Sequence, residues 1–294
     1  MNCLILGSGK IGIDLYIKCK RSKLFKNIFI FNRNKFSIGA KYCLVNKFNY
    51  FNTGIKGLVK KIDLNDLNLI YDATSAEASI GNYKSVMTCL NLKNFFYINL
   101  TPSKIGEYMV PYHFLKARSK SINLITCGGQ SSIPLIIELK KVLPSLIYVE
   151  LVSSISSISA GAATRKNVND YIENTQSAIS NLSGIKNNKV IINLNPSNPP
   201  VNMMNSIFFE CKKKLQKIDF IKVLRALRTI NKNIKFYIPG FNARLFKTAS
   251  KNVFRITIRV VGQGDYLPSY AGNLDIITSA AAYLPKLIHE KNYN

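Results

Sequence analysis

The chain has 294 residues, enough for about two domains with real cores, and its 47% apolar and 19% charged content excludes a disordered tail, a collagen-like repeat and a coiled coil. No apolar run reaches the roughly 18–20 residues of a membrane span, so no membrane partner is expected. Lysine and arginine outnumber aspartate and glutamate 41 to 15, a net charge of +26, but they are spread through a chain also rich in Asn, Ile, Phe and Tyr; a solvated lysine surface explains this better than a nucleic-acid footprint, and nucleic acid is not an expected partner.

The opening run, Met1-Asn2-Cys3-Leu4-Ile5-Leu6-Gly7, is short, apolar and closed by glycine, so it reads as a strand and not as a signal peptide. Short apolar runs then alternate with helical patterns, the rhythm of βαβ units on a parallel sheet. Strands are expected at 3–6, 28–31, 69–73, 95–100 and 123–126, with helices clearest at 11–20 and 75–92. Beyond Thr126 the pattern changes. A helix at 133–142 leads to a long strand at 146–157, an amphipathic helix at 168–182 and a strand at 190–194. A turn-rich segment at 195–200 precedes a strand at 207–211, a helix at 219–230, a strand at 253–261 and a helix rich in Ala and Leu at 272–288. The fold class is therefore α/β: a Rossmann-type parallel-sheet nucleotide-binding domain followed by an α+β domain with a mostly antiparallel sheet.

Gly7-Ser8-Gly9-Lys10-Ile11-Gly12 is a GxGxxG that follows the first strand and opens a helix. Its glycines serve a tight turn, a close approach to pyrophosphate and close packing of helix on strand, while the helix N-terminus supplies N–H donors for phosphate. The second strand normally ends in a carboxylate that accepts the adenosine ribose hydroxyls. Here it runs into Asn32-Arg33-Asn34. Arg33 is free to pair with a 2′-phosphate, to stack on adenine or to face water, and Asn32 is still able to bond a ribose hydroxyl, so NAD and NADP both stay open.

The six cysteines, Cys3, Cys19, Cys43, Cys89, Cys127 and Cys211, are scattered without a CxxC pair. That speaks against a zinc site or a disulfide framework and for a reduced, cytoplasmic protein. Cys127 stands apart, in Thr126-Cys127-Gly128-Gly129-Gln130, where a strand gives way to a helix. A helix N-terminus favours a thiolate, and the two glycines remove bulk beside the sulfur and leave backbone N–H groups to meet an oxyanion. The only histidines are His113 and His289, so activation of the thiol by backbone dipoles and nearby cations is expected rather than a Cys-His pair.

These residues give the chain a resemblance to the acylating acetaldehyde dehydrogenases of aromatic meta-cleavage pathways, carried by the glycine loop, Asp72-Ala73-Thr74-Ser75-Ala76, Leu100-Thr101-Pro102, Thr126-Cys127-Gly128-Gly129-Gln130, Ser159-Ala160-Gly161 with Thr164-Arg165 and Asn167, Leu194-Asn195-Pro196, Gly264-Asp265-Tyr266-Leu267-Pro268 and Ala271-Gly272-Asn273-Leu274-Asp275. The resemblance implies a Cys127 nucleophile, a thiohemiacetal and then a thioester, hydride transfer to NAD and release of the acyl group to coenzyme A. It places cofactor contacts on Gly7, Ser8, Gly9, Lys10, Ile11 and Gly12, on the loop Ser159, Ala160, Gly161, Ala162, Ala163, Thr164, Arg165, Lys166 and Asn167, and on Asn273, with Asn167 also holding the oxyanion. It divides the chain into an NAD-binding domain at 1–126, a catalytic and dimerisation domain at 127–270 and a C-terminal helix at 271–294 that returns to the first domain. It further implies a homodimer and a complex with 4-hydroxy-2-oxovalerate aldolase. No metal is expected.

Three departures from the family pattern stand out. Ala162 and Ala163 stand where the family loop has Pro-Gly, which strains the loop or crowds the cofactor if the glycine served a positive φ. Asn205 occupies the place of an aspartate implicated in handling the thiol proton, which an amide cannot take up. Asn32 and Arg33 replace the acidic ribose contact. Two other readings are compatible with the layout: a semialdehyde dehydrogenase of the aspartate or acetylglutamate type, against which the lack of a second-domain histidine counts, and a basic binding protein that kept the fold and lost turnover.

Overall fold

The computed structural model describes residues 1–53, 57, 67–89, 95–161, 165, 168–248 and 253–293. The chain divides into two units, one of Met1–Leu124 with Thr278–Asn294 and one of Ile125–Ile277.

In the first unit, β1 (Asn2–Leu6) is followed by α1 (Lys10–Ser22), β2 (Asn27–Phe31), α2 (Ile38–Val45), β3 (Asn49–Phe51), β4 (Leu67–Asp72), α3 (Ala76–Cys89), β5 (Phe96–Asn99), β6 (Glu107–Tyr108) and β7 (Ser121–Asn123). The strands form one sheet in the order β3-β2-β1-β4-β5-β7-β6, every pair parallel. Cys3, Leu4, Ile5 and Leu6 are all buried, as a central strand covered on both faces requires. The strand order reverses direction between β1 and β4, which opens a crevice at their C-terminal ends.

The strand expected at 123–126 lies instead at Ser121–Asn123. Ile125 adopts a positive φ of 63° and Thr126 caps the next helix, accepting the Gly129 N–H at 3.0 Å. The apolar run therefore continues past the point where the chain leaves the sheet.

The second unit contains α4 (Cys127–Val142), β8 (Leu146–Ser156), α5 (Val168–Ser183), β9 (Asn188–Asn195), β10 (Met203–Cys211), α6 (Lys217–Lys235), β11 (Gly240–Lys247) and β12 (Val253–Val261). Its sheet runs β11-β12-β10-β8-β9, antiparallel except for the β8/β9 pair. On β10 the inward row is Met203, Asn205, Ile207, Phe209 and Cys211. Asn205 interrupts this apolar row, which is why the sequence pattern showed only the strand's second half, from 207. The strand β11 and the pair α2 and β3 carry too weak a periodicity to stand out in the sequence.

The last helix, α7 (Gly272–Tyr293), begins in the second unit and from Thr278 belongs to the first. Pro285 lacks the N–H that would bond the carbonyl of Ala281 four residues earlier. The buried Tyr71 hydroxyl of β4 donates to that carbonyl instead, at 3.2 Å. Thr278 bonds the buried Asp14, which also holds Lys18 at 2.7 Å, and Lys291 donates to the Ala117 carbonyl. These contacts seat α7 within the first unit.

Candidate active site

A cleft of about 290 Å³ lies in the first unit, lined by Gly7, Ser8 and Gly9 after β1, by Phe31, Asn32 and Arg33 at the end of β2, and by Ala73, Thr74, Ala78 and Asn82 after β4. Gly7 has φ +103°, and a Cβ there would come within 2.8 Å of the Ala73 carbonyl oxygen. A Cβ on Gly12 would lie 1.9 Å from the Gly7 carbonyl oxygen, so α1 packs on the turn only because that residue is glycine. Gly9 differs: nothing lies within 4 Å of a Cβ built there. Gly9 caps α1 without a side-chain bond, and no acidic residue sits in the first turn, which opens at the exposed Lys10 and at Ile11. The cradle and the uncapped helix start together fit the pyrophosphate of a dinucleotide.

Cys127 opens α4 in the second unit and is partly exposed, whereas Cys3, Cys19, Cys43 and Cys211 are buried. Its sulfur lies 3.6 Å from the Tyr171 hydroxyl oxygen, which also accepts the Gly128 N–H at 3.0 Å. The Gly129 N–H is taken by Thr126 Oγ1, and that hydroxyl is paired with Thr175 Oγ1 at 2.8 Å. The backbone N–H groups of both glycines, expected to be open to an oxyanion, are thus engaged within the protein. The glycines are needed for close packing: a Cβ on Gly128 would stand 2.3 Å from Tyr171 Oη and 2.5 Å from Ser153 Oγ.

Burial pushes the Cys127 thiol up to about 11, and the Tyr171 hydroxyl, followed by the Gly128 and Cys127 N–H groups, pulls it back toward its ordinary value. Among the described residues no lysine or arginine contributes, so the expected activation by nearby cations is replaced by a neutral donor. Tyr171 itself is raised well above the ordinary phenol, chiefly by burial and then by charge on Cys127. The sequence pattern passed over Tyr171. The available signal was a pair of hydroxyls one turn apart, Tyr171 and Thr175, on the buried face of an amphipathic helix.

Asn205 is fully buried, and its Nδ2 lies 2.6 Å from Ser131 Oγ, 2.9 Å from Ser132 Oγ and 3.5 Å from the Gly128 carbonyl oxygen. Ser131 in turn donates to the carbonyls of Cys127 and Gly128 at 3.0 Å each. Asn205 thereby reaches the cysteine's turn through the helix backbone, and its Oδ1 is buried without a hydrogen-bond partner among the described residues.

Ser159 ends a short 3-10 turn, Ser157–Ser159, and its carbonyl accepts from Asn273 Nδ2 at 3.4 Å. The structure thus joins two expected cofactor contacts that are far apart in sequence. Arg165 folds back on the same turn, donating to the Ser157 carbonyl at 2.7 Å and hydroxyl at 2.8 Å and to the Ala160 carbonyl at 3.3 Å; Gly161 is exposed. Ala162, Ala163, Thr164, Lys166 and Asn167 lie outside the described residues. Both histidines belong to the first unit. Among the described residues no group of three or more His, Cys, Asp or Glu is placed to hold a metal ion, and no helix is long and apolar enough to cross a membrane.

A family model described as prokaryotic acetaldehyde dehydrogenase, dimerisation, matches residues 127–268. A protein named acetaldehyde dehydrogenase from Pectobacterium atrosepticum is 36% identical, over 98% of this chain and 96% of its own length. A second of that name, from Burkholderia thailandensis, is 38% identical over 94% of this chain and 91% of its own length. Among solved structures, a probable aspartate-semialdehyde dehydrogenase from Pseudomonas aeruginosa matches with a TM-score of 0.63 at 11% identity, covering 100% of this chain and 99% of that one. Aspartate semialdehyde dehydrogenase II of Vibrio cholerae, complexed with ASA, gives 0.61 at 10%, over 96% and 98%. At such identities the likeness is one of fold.

Proposed function

The chain belongs to the acetaldehyde dehydrogenase family, and from that premise we propose that it is a CoA-acylating acetaldehyde dehydrogenase, converting acetaldehyde, or propanal, to acyl-CoA through a thioester on Cys127. The observation that carries this reading is Cys127, a partly exposed residue at the head of α4 with its sulfur 3.6 Å from a buried phenol. The nicotinamide cofactor of the family, when bound, accepts a hydride. Gly7, Ser8 and Gly9, with the helix start at Lys10 and Ile11, would hold its pyrophosphate while Gly12 lets α1 pack against that turn, and the resemblance assigns its other end to the 159–167 loop with Asn273.

The protein's own part begins with the thiol. Tyr171 Oη accepts the Gly128 N–H and lies 3.6 Å from the sulfur, where its hydroxyl stabilises the thiolate and lowers a thiol pKa that burial raises. Once the thiol has given its proton to solvent water, the thiolate's electron pair forms a C–S bond at the aldehyde carbon, and the carbonyl π pair moves onto oxygen. With the Gly128 and Gly129 N–H groups already engaged, that oxygen needs another donor, and Asn167 is the residue the resemblance assigns. When the carbonyl re-forms with loss of hydride, the acyl group is left on sulfur as a thioester. The thiolate of coenzyme A then attacks, and the Cys127–acyl bond breaks to return the cysteine thiolate. Asn205 supports the turn that presents Cys127 and takes up no proton.

In this reading residues 1–126 bind the cofactor, 127–270 carry catalysis and dimerisation, and 271–294 form the helix returning to the first domain. The partners are a second copy of the chain and 4-hydroxy-2-oxovalerate aldolase, in the cytoplasm. The test is CoA-dependent reduction of nicotinamide cofactor by acetaldehyde, with the acyl adduct trapped on Cys127 by mass spectrometry when coenzyme A is withheld. Turnover that survives Cys127→Ser would overturn the proposal, as would no turnover at all by the native chain.

A further inference from the structure

We propose that the cleft in the first unit prefers a dinucleotide bearing a phosphate on its adenosine ribose, with Arg33 as that phosphate's partner. The inference rests on the reading of this cleft as the cofactor site, and it departs from the NAD that the resemblance implies.

In such a crevice the end of the second strand lies beside the adenosine ribose. A carboxylate there accepts the two ribose hydroxyls and repels a phosphate, whereas an arginine welcomes one. Among the described residues no Asp or Glu lines the cleft, while Asn32 and Arg33 both do. Asn32 is not a carboxylate in disguise. Its Nδ2 donates to Ser8 Oγ and Ser37 Oγ, each at 2.8 Å, and its Oδ1 accepts the Asn34 N–H at 3.3 Å. Its polar atoms staple the loop after β2 to the glycine turn and to the cap of α2, which fixes the backbone from which Arg33 projects.

Nor does Asp72, at the end of β4, supply the missing acceptor. One carboxylate oxygen takes the Thr74 N–H at 3.0 Å and the Thr74 hydroxyl; the other takes Tyr97 Oη at 2.7 Å and Asn82 Nδ2 at 3.3 Å. Arg33 is exposed and takes part in none of the ion pairs among the described residues, and exposed Lys35 lies two positions further on. A guanidinium fork with an open face, beside a ribose site without a competing carboxylate, suits a dianionic phosphate.

The test is equilibrium binding to the full-length protein, followed by the fluorescence of NADPH and NADH, with 2′,5′-ADP and 5′-AMP as competitors. NADPH is expected to bind about tenfold more tightly than NADH, and 2′,5′-ADP to compete better than 5′-AMP, both differences shrinking as salt rises. Arg33→Ala should reduce the NADPH preference to near unity, and Asn32→Asp should reverse it. Thermal unfolding of each variant checks that it is folded. Equal or tighter binding of NADH by the native protein would overturn the proposal, as would a preference that survives Arg33→Ala. If neither dinucleotide binds, the parent reading of the cleft fails with it.

Discussion

The Cys127 sulfur and the Tyr171 hydroxyl oxygen lie 3.6 Å apart, and that oxygen also accepts the Gly128 N–H at 3.0 Å. The phenol is therefore held from the side of α4, with its hydroxyl in contact with the sulfur. Its place on α5 is secured one turn later, where Thr175 meets the capping Thr126. One helix thus braces both the cap and the first residue of the other.

Removing this phenol should be visible at the thiol before it is visible in turnover. The thiolate is the form that alkylates, and burial holds the Cys127 pKa at about 11, so iodoacetamide labelling of Cys127 should rise about tenfold per pH unit from neutrality toward that value. Tyr171 lowers this pKa, so Tyr171→Phe should move the profile to higher pH and slow labelling at neutral pH by about ten- to a hundredfold, the worth of a hydrogen bond to a charged group. Peptide mapping isolates the cysteine. An unmoved profile would reduce Tyr171 to packing.

Asn205 separates scaffold from chemistry. Asn205→Ala should lower the unfolding free energy by about 1–3 kcal/mol in urea titration, because the buried Ser131 and Ser132 hydroxyls lose a partner and a cavity opens. Asn205→Asp introduces a group able to hold a proton next to the cysteine's turn. It should raise CoA-dependent turnover and add an inflection on the acid side of the pH–rate profile. A rate unchanged by the carboxylate would confine this position to holding the helix.

The glycines of the loop should separate in the same way. Gly12→Ala drives a methyl group into the Gly7 carbonyl and should destabilise the first unit by more than about 2 kcal/mol, lowering the melting temperature. Gly9→Ala meets nothing within 4 Å, so the melting temperature should hold while dinucleotide affinity falls through lost approach to the pyrophosphate. Full affinity in folded Gly9→Ala would argue against a phosphate at this turn.

The pairing of Tyr71 with the Ala281 carbonyl is open to a double-mutant cycle. Tyr71→Phe should cost about 1–3 kcal/mol by leaving a buried carbonyl unpaired. In a Pro285→Ala background the helix recovers its own N–H donor, so the same substitution should cost measurably less. Equal costs in both backgrounds would show that the proline does not create the need for the tyrosine.

Much of this protein was legible from local pattern. The parallel βαβ half, the mostly antiparallel second sheet and the strand at 253–261 follow from apolar periodicity, and the glycine turn follows from spacing and sterics that involve only near neighbours. The start of α4 was harder. Gly128, Gly129, Ser131 and Ser132 are poor helix formers, so the sequence pointed to a helix from 133, while the cap at Thr126 sets it from Cys127.

The sequence by itself therefore determined a Rossmann-type parallel sheet, a second α+β unit and a cysteine placed where a helix begins, because each is written within a few consecutive residues. Only the tertiary structure decided what surrounds that cysteine and that turn. Tyr171 reaches Cys127 across 44 positions of chain, Asn205 reaches Ser131 across 74, and Asn32 reaches Ser8 across 24. Such meetings depend on how helices and strands pack, which neither composition nor periodicity encodes, and they fix which groups are left to donate a proton, accept one or hold a charge.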